Sequence, residues 1–147
     1  MQGNQRPGAK RREPLSVLYV EDDDINWEVA EFNLRKRYRI MRARGDKEAF
    51  QHLREHSFDL ILMDIELAGS TLNGIDITRV LRGTFGRDMP PYARDVRADI
   101  PIVFVTAYAA RYEKRELLAA GGDDRITKPV DFTGLALVMA RLLVRNL

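Results

Sequence analysis

Leu60-Ile61-Leu62-Met63-Asp64 is an apolar run that stops at a carboxylate. A short continuous apolar run bounded by polar residues reads as a strand buried on both faces. Val17-Leu18-Tyr19-Val20 likewise runs into Glu21-Asp22-Asp23-Asp24, and Ile102-Val103-Phe104-Val105 runs into Thr106. A fourth stretch, Arg125-Ile126-Thr127, ends in Lys128-Pro129. If these strands lie parallel, three acidic groups, a hydroxyl and an ammonium gather at one edge of one sheet. Such a set suits a divalent cation and a phosphoryl group.

The rest of the chain supports parallel strands. Residues 15–20, 38–43, 58–63, 101–105 and 124–127 read as strands. Helices are expected from about 24 to 37, over 46–56, up to Gly83, over 109–120 and over 131–145. Asp23 or Asp24 suits an N-cap, Asp46 opens the second helix, and Gly121-Gly122 is a stop signal. This βα alternation predicts an α/β fold, a doubly wound parallel sheet covered by helices on both faces. Ligands of such sheets sit beyond the carboxyl ends of the strands, where every polar cluster named above falls. Residues 83–99 carry Gly83, Gly86, Pro90 and Pro91 among alternating charges and read as a long loop with a helical turn around 91–97.

Bulk properties narrow the function classes. With 147 residues the chain suits one domain, taken as residues 15–147. Residues 1–14 read as a disordered basic tail; Arg6, Lys10, Arg11 and Arg12 are taken as solvated charge, and no direct nucleic-acid contact is expected. There is no cysteine, so disulfides and thiolate metal sites are excluded. No apolar run is long enough for a membrane-spanning helix, and no signal peptide opens the chain. No glycine-rich phosphate loop is present.

Glu21, Asp22 and Asp64 form a hard oxygen cluster of the kind Mg²⁺ accepts. Close carboxylates repel, and a dication relieves the repulsion. A carboxylate can also act as nucleophile and form an acyl phosphate. Lys128 and the Thr106 hydroxyl are then candidates to neutralise the transferring phosphoryl oxygens.

These residues resemble a known family. Val17 to Asn26 is similar to the first strand and acidic pair of response-regulator receiver domains. Leu62-Met63-Asp64 resembles their phosphoacceptor strand, Val105-Thr106-Ala107 their switch hydroxyl, and Thr127-Lys128-Pro129-Val130 their lysine–proline motif. The resemblance covers about residues 15–145. It implies a five-stranded flavodoxin-like sheet of order 2-1-3-4-5. It implies that Asp64 accepts a phosphoryl group from a histidine kinase or histidine phosphotransfer protein. It implies Mg²⁺ bound by Asp22 and Asp64, assisted by Glu21 and the backbone carbonyl of Glu66. Glu66 and Tyr108, each two residues past a motif residue, would tune the lifetime of the phosphoryl group. The output would be binding of an unknown downstream protein in the cytoplasm. Receivers often dimerise through the last helix and the strand before it. Catalysis would extend at most to self-phosphorylation and autodephosphorylation.

The chain also departs from the family pattern. Gly74 comes about two residues late, and Ala68 stands where proline is common. Arg125 occupies the usual switch-aromatic position, so either Tyr108 serves instead or the coupling is different. Residues 83–99 are an insertion relative to a compact receiver. In the first helix Val29, Ala30 and Leu34 suit an inward face, with Ile25 and Phe32 on one flank and Trp27 on the other. That wide apolar arc makes Trp27 a candidate for partner docking. His52 and His56 read as exposed helix residues with no further ligand beside them, so no metal is assigned to them. Two rival readings are a degenerate receiver that binds partners without phosphorylation, and a haloacid-dehalogenase-like phosphatase built on Asp22-Asp23-Asp24.

Overall fold

The computed structural model describes residues 14–145, so the expected basic tail lies outside the described residues apart from Pro14. Five strands, β1 (Leu15–Val20), β2 (Tyr38–Ala43), β3 (Leu60–Asp64), β4 (Ile102–Thr106) and β5 (Asp124–Thr127), alternate with five helices. The helices are α1 (Asp24–Leu34), α2 (Asp46–Glu55), α3 (Gly74–Arg82), α4 (Lys114–Ala119) and α5 (Phe132–Arg145). Every strand pair is parallel and the order is β2-β1-β3-β4-β5, the doubly wound arrangement expected.

Period-two alternation splits the apolar runs between the two faces of the sheet. Leu18, Val20, Ile61, Met63, Ile102 and Phe104 pack with Phe50 of α2, Ile77 of α3 and Leu117 of α4. Val17, Tyr19, Leu60, Leu62, Val103 and Val105 pack with Leu34 of α1 and with Leu135 and Met139 of α5. All residues of β3 and β4 are buried, which is why their sequences are continuous rather than alternating. Each large aliphatic side chain buried this way contributes about 1.5–3 kcal/mol, and this places the carboxyl ends of the central strands rigidly.

Two regions differ from the sequence reading. The helix expected over 109–120 splits into a 3₁₀ turn (Ala109–Arg111) and the short α4. Between them Tyr112 is extended (φ −131°, ψ 115°), and its hydroxyl donates to Glu66 Oε2 at 2.6 Å. The segment 83–99 is docked on the body rather than standing free. Phe85, Ala93 and Val96 are buried in the core face shared by α2 and α3. The Ala98 N–H donates to the Leu81 carbonyl (3.1 Å), and Arg82 Nη1 donates to the Ala98 carbonyl (2.8 Å). A 3₁₀ turn at Pro91–Ala93 brings the Tyr92 hydroxyl to Asp46 Oδ2 at 2.7 Å.

Candidate functional site

The parallel register sets the ends of β1, β3 and β4 side by side: Val20 opposes Met63, and Asp64 opposes Val105. The residues that follow these ends converge on one cleft. Glu21 is fully buried. Its Oε1 accepts from the Tyr19 hydroxyl (3.0 Å) and lies 2.8 Å from Lys128 Nζ. Its Oε2 accepts from the Asp23 N–H (3.1 Å). Asp22 Oδ2 accepts from the Ala68 N–H (3.1 Å), which ties the loop after β3 to the acidic turn. Asp64 Oδ1 accepts from the Ile65 N–H (2.8 Å), and its Oδ2 lies 3.2 Å from Lys128 Nζ. Ligand oxygens of Glu21, Asp22 and Asp64 all lie within 4.8 Å of one another.

Three carboxylates and one ammonium leave a net negative site. Burial, followed by repulsion from Glu21, pushes the Asp64 carboxyl up to about 7, against the opposing pull of Lys128. Burial works against the charge on Lys128, but its hydrogen bond to Glu21 and the nearby Asp64 charge outweigh it and raise its pKa. Burial and Glu21 hold the Tyr19 phenol well above its usual range. A dication would remove the repulsion at its source, so the donor set fits Mg²⁺.

Thr106 is fully buried at the end of β4. Its Oγ1 accepts from the Tyr108 N–H (2.9 Å), and its carbonyl accepts from the Lys128 N–H (2.9 Å). These bonds join the hydroxyl and the ammonium into one framework. Tyr108 is 45% exposed, with the Arg111 guanidinium over its ring. The Glu66 carboxylate is turned across the cleft to Tyr112 and Arg111, and those two contacts hold it below the usual carboxylate range, Tyr112 first. Arg125 donates through Nη1 to the Tyr112 carbonyl (3.0 Å). The residue at the aromatic position thus braces the segment that engages Glu66.

Three site contributors were not singled out from the sequence. Tyr112 acts across 46 positions, a separation no local pattern reports. Arg42 lies on β2, away from the motifs, yet it donates to the carbonyls of Glu21 (2.9 Å) and Asp22 (3.0 Å) and so shapes the acidic turn. Gly74 was visible only as a displaced glycine. A Cβ there would lie 2.0 Å from the Asp64 carbonyl oxygen, so no side chain fits behind Asp64.

α1 corrects one expectation and redirects another. Val29, expected inward, is 47% exposed, whereas Trp27 is half-buried against Tyr19 (6.4 Å between ring centroids) with Arg42 near its face. The exposed apolar stripe is Ile25, Val29 and Phe32, spaced i, i+4 and i+7. In the acidic turn, Asp23 caps α1 by accepting from the Asn26 N–H (2.8 Å), and Asp24 is paired with Arg42 and Arg44. Asp24 is thus committed to structure, which removes the second carboxylate that the phosphatase reading needs.

The family model for the response regulator receiver domain matches residues 17–139. The polar-differentiation response regulator DivK of Brucella anthropi is 31% identical over 118 residues, covering 80% of this chain and 86% of its own. The receiver domain of the sensor histidine kinase PA1611 from Pseudomonas aeruginosa, solved with a magnesium ion in its active-site cleft, is 29% identical with a TM-score of 0.70, covering 89% of this chain and 98% of that one. The receiver domain of Ssk1 from Saccharomyces cerevisiae, solved with the histidine phosphotransfer protein Ypd1, is 29% identical with a TM-score of 0.73, covering 90% of this chain and 91% of that one. Other curated relatives are longer, and the chain spans 26% of the response regulator mcs4 of Schizosaccharomyces pombe. With the fold, the strand order and this match in agreement, the chain belongs to the response regulator receiver domain family.

Proposed function

We propose that this protein is a phosphorylation-dependent signalling switch whose acceptor is Asp64. The observation that carries the reading is the bridge of Lys128 to both Glu21 and Asp64 inside the three-carboxylate cluster. A carboxylate oxygen of Asp64 attacks the phosphorus of a phosphohistidine donor. The P–O bond forms as the P–N bond breaks, and the electron pair stays on the donor imidazole. No base is needed once a dication relieves the repulsion from Glu21, because the carboxylate is then ionised and is itself the nucleophile. Asp22 and Asp64, with Glu21 and the Glu66 carbonyl assisting, would hold Mg²⁺, which would supply positive charge to the phosphoryl oxygens. Lys128 supplies a second positive charge, and the Thr106 hydroxyl rotates to donate to a phosphoryl oxygen. Glu66 and Tyr108 flank the approach of water and tune the lifetime of the product.

The donor is a histidine kinase or histidine phosphotransfer protein, docked on the Ile25, Val29 and Phe32 stripe of α1. Asn26, on the same helix, lines the acceptor cleft, so a partner on α1 reaches Asp64. The downstream consequence is a population shift that changes binding of a further protein.

The test compares a phosphorylated histidine phosphotransfer protein with acetyl phosphate as donors to wild type and Phe32→Glu. Transfer from the protein donor is expected to slow tenfold or more while labelling by acetyl phosphate is unchanged. Equal rates from the protein donor would remove α1 as the docking face, and failure of both donors on wild type would remove the acceptor assignment.

A further inference from the structure

A second cluster of metal-binding groups lies outside the acceptor cleft, at the carboxyl end of α2. His52, Glu55 and His56 each offer a ligand atom, and these atoms lie within 4.8 Å of one another. We infer that these three side chains form a binding site for a borderline divalent cation of the zinc class, separate from the Mg²⁺-type cluster at Asp64.

The hydrogen bonding of His52 supports this. Its Nε2 lies 3.0 Å from the Arg42 carbonyl oxygen, which can only accept. In the neutral ring Nε2 therefore carries the hydrogen, and Nδ1 presents a lone pair. His52 Nδ1 is the one buried side-chain nitrogen or oxygen among the described residues with no hydrogen-bond partner. A metal-ligating histidine has this arrangement: one nitrogen donates to a backbone carbonyl, and the other is free to coordinate.

The positions of the other two ligands agree. Residues three and four apart share a helix face. His56 is the C-cap of α2, and its ring centroid lies 6.0 Å from that of His52. The last turn of a helix carries partial negative charge from its free carbonyls, which favours a bound cation. Glu55 and His56 are exposed and free to adjust, while His52 is anchored. A tetrahedral ion with bonds of about 2.0–2.1 Å needs donors roughly 3.4 Å apart. The two exposed side chains close that gap by rotamer change, and Glu55 gives up its long 3.4 Å contact with Gln51.

Two imidazoles and one carboxylate select Zn²⁺, Cu²⁺ or Ni²⁺ over Mg²⁺, which prefers an all-oxygen shell. The chain has two histidines and no cysteine, so an imidazole ligand to zinc can come only from His52 or His56.

The test is a Zn²⁺ titration of the full chain against a chromophoric chelator, with Mg²⁺ saturating the carboxylate cluster. One Zn²⁺ per chain is expected, and His56→Ala and Glu55→Gln should each weaken binding tenfold or more. Both positions are exposed, and circular dichroism confirms that each variant is folded. A Cu²⁺-loaded sample should show electron paramagnetic resonance splitting from two nitrogens, falling to one in His56→Ala. No zinc uptake, uptake unchanged in His56→Ala, or a copper spectrum without nitrogen splitting would overturn the site.

Discussion

Two buried carboxylates stand in this protein in opposite conditions. Asp64 is 5% exposed and Asp46 is 3% exposed. Asp46 is saturated by neutral donors: Lys47 N–H (2.9 Å) on Oδ1, Leu72 N–H (3.1 Å) and the Tyr92 hydroxyl (2.7 Å) on Oδ2. It pins the amino end of α2 to the loop before α3 and to the 83–99 segment. Asp64 has one backbone donor and otherwise faces Lys128 and two further carboxylates. Burial alone therefore does not mark a reactive carboxylate. What sets Asp64 apart is a cluster of like charges that a cation would relieve, whereas the single charge of Asp46 is spread over three hydrogen bonds.

The largest effect should come from breaking the reactive member. Asp64→Asn removes the proposed nucleophile and is expected to abolish phosphoryl acceptance while leaving the urea midpoint close to wild type, because no neutral hydrogen-bond network depends on it. Asp46→Ala should do the reverse. It orphans the Leu72 N–H, takes away the carboxylate acceptor of the Tyr92 hydroxyl and should cost about 3 kcal/mol of stability, read as a lower urea midpoint, with acceptance retained in the folded protein.

Lys128→Met sharpens the contrast from the other side. Loss of one charge that stabilises the transferring phosphoryl group should slow phosphorylation by about 100-fold, or roughly 2.7 kcal/mol. Mg²⁺ binding, followed by Trp27 fluorescence, should tighten, because the ammonium no longer competes for Glu21 and Asp64. Gly74→Ala should destabilise by about 2 kcal/mol, since its methyl group meets the Asp64 carbonyl oxygen at 2.0 Å unless α3 shifts. The smallest effect belongs to Tyr92→Phe. It deletes one of three donors to Asp46 and should cost about 1 kcal/mol, with no change in the rate of phosphorylation by acetyl phosphate.

The same comparison explains what the sequence disclosed. The convergence of the polar edge was legible because its residues lie at or just beyond strand ends, and parallel strands bring their ends together whatever the loops do. Asp64 and Thr106 close β3 and β4, Glu21 and Asp22 follow β1, and Lys128 follows β5. The Asp46 network does not. Tyr92 reaches Asp46 across 46 positions from a segment rich in Gly, Pro and charge, whose composition resembles a free loop. Its buried anchors, Phe85, Ala93 and Val96, would share one helix face, but Gly86, Pro90 and Pro91 between them break any continuous helix, so no pattern flagged them. Tyr112 was hidden for a related reason: an apparently continuous helical stretch breaks at that residue to satisfy Glu66. The apolar arc of α1 was recognised, but a helix-wheel argument could not say which flank β2 covers. Arg42 lies against Trp27, leaving Ile25, Val29 and Phe32 in solvent.

The central claim is that Asp64 is the phosphoacceptor of a metal-assisted switch. Intact-mass spectrometry after incubation with acetyl phosphate tests it most directly, on wild type and Asp64→Asn, with and without Mg²⁺. The account predicts a single phosphoryl adduct on wild type with Mg²⁺, and none on Asp64→Asn or when Mg²⁺ is withheld. An adduct of equal yield on Asp64→Asn, or none on wild type with any donor, would contradict it.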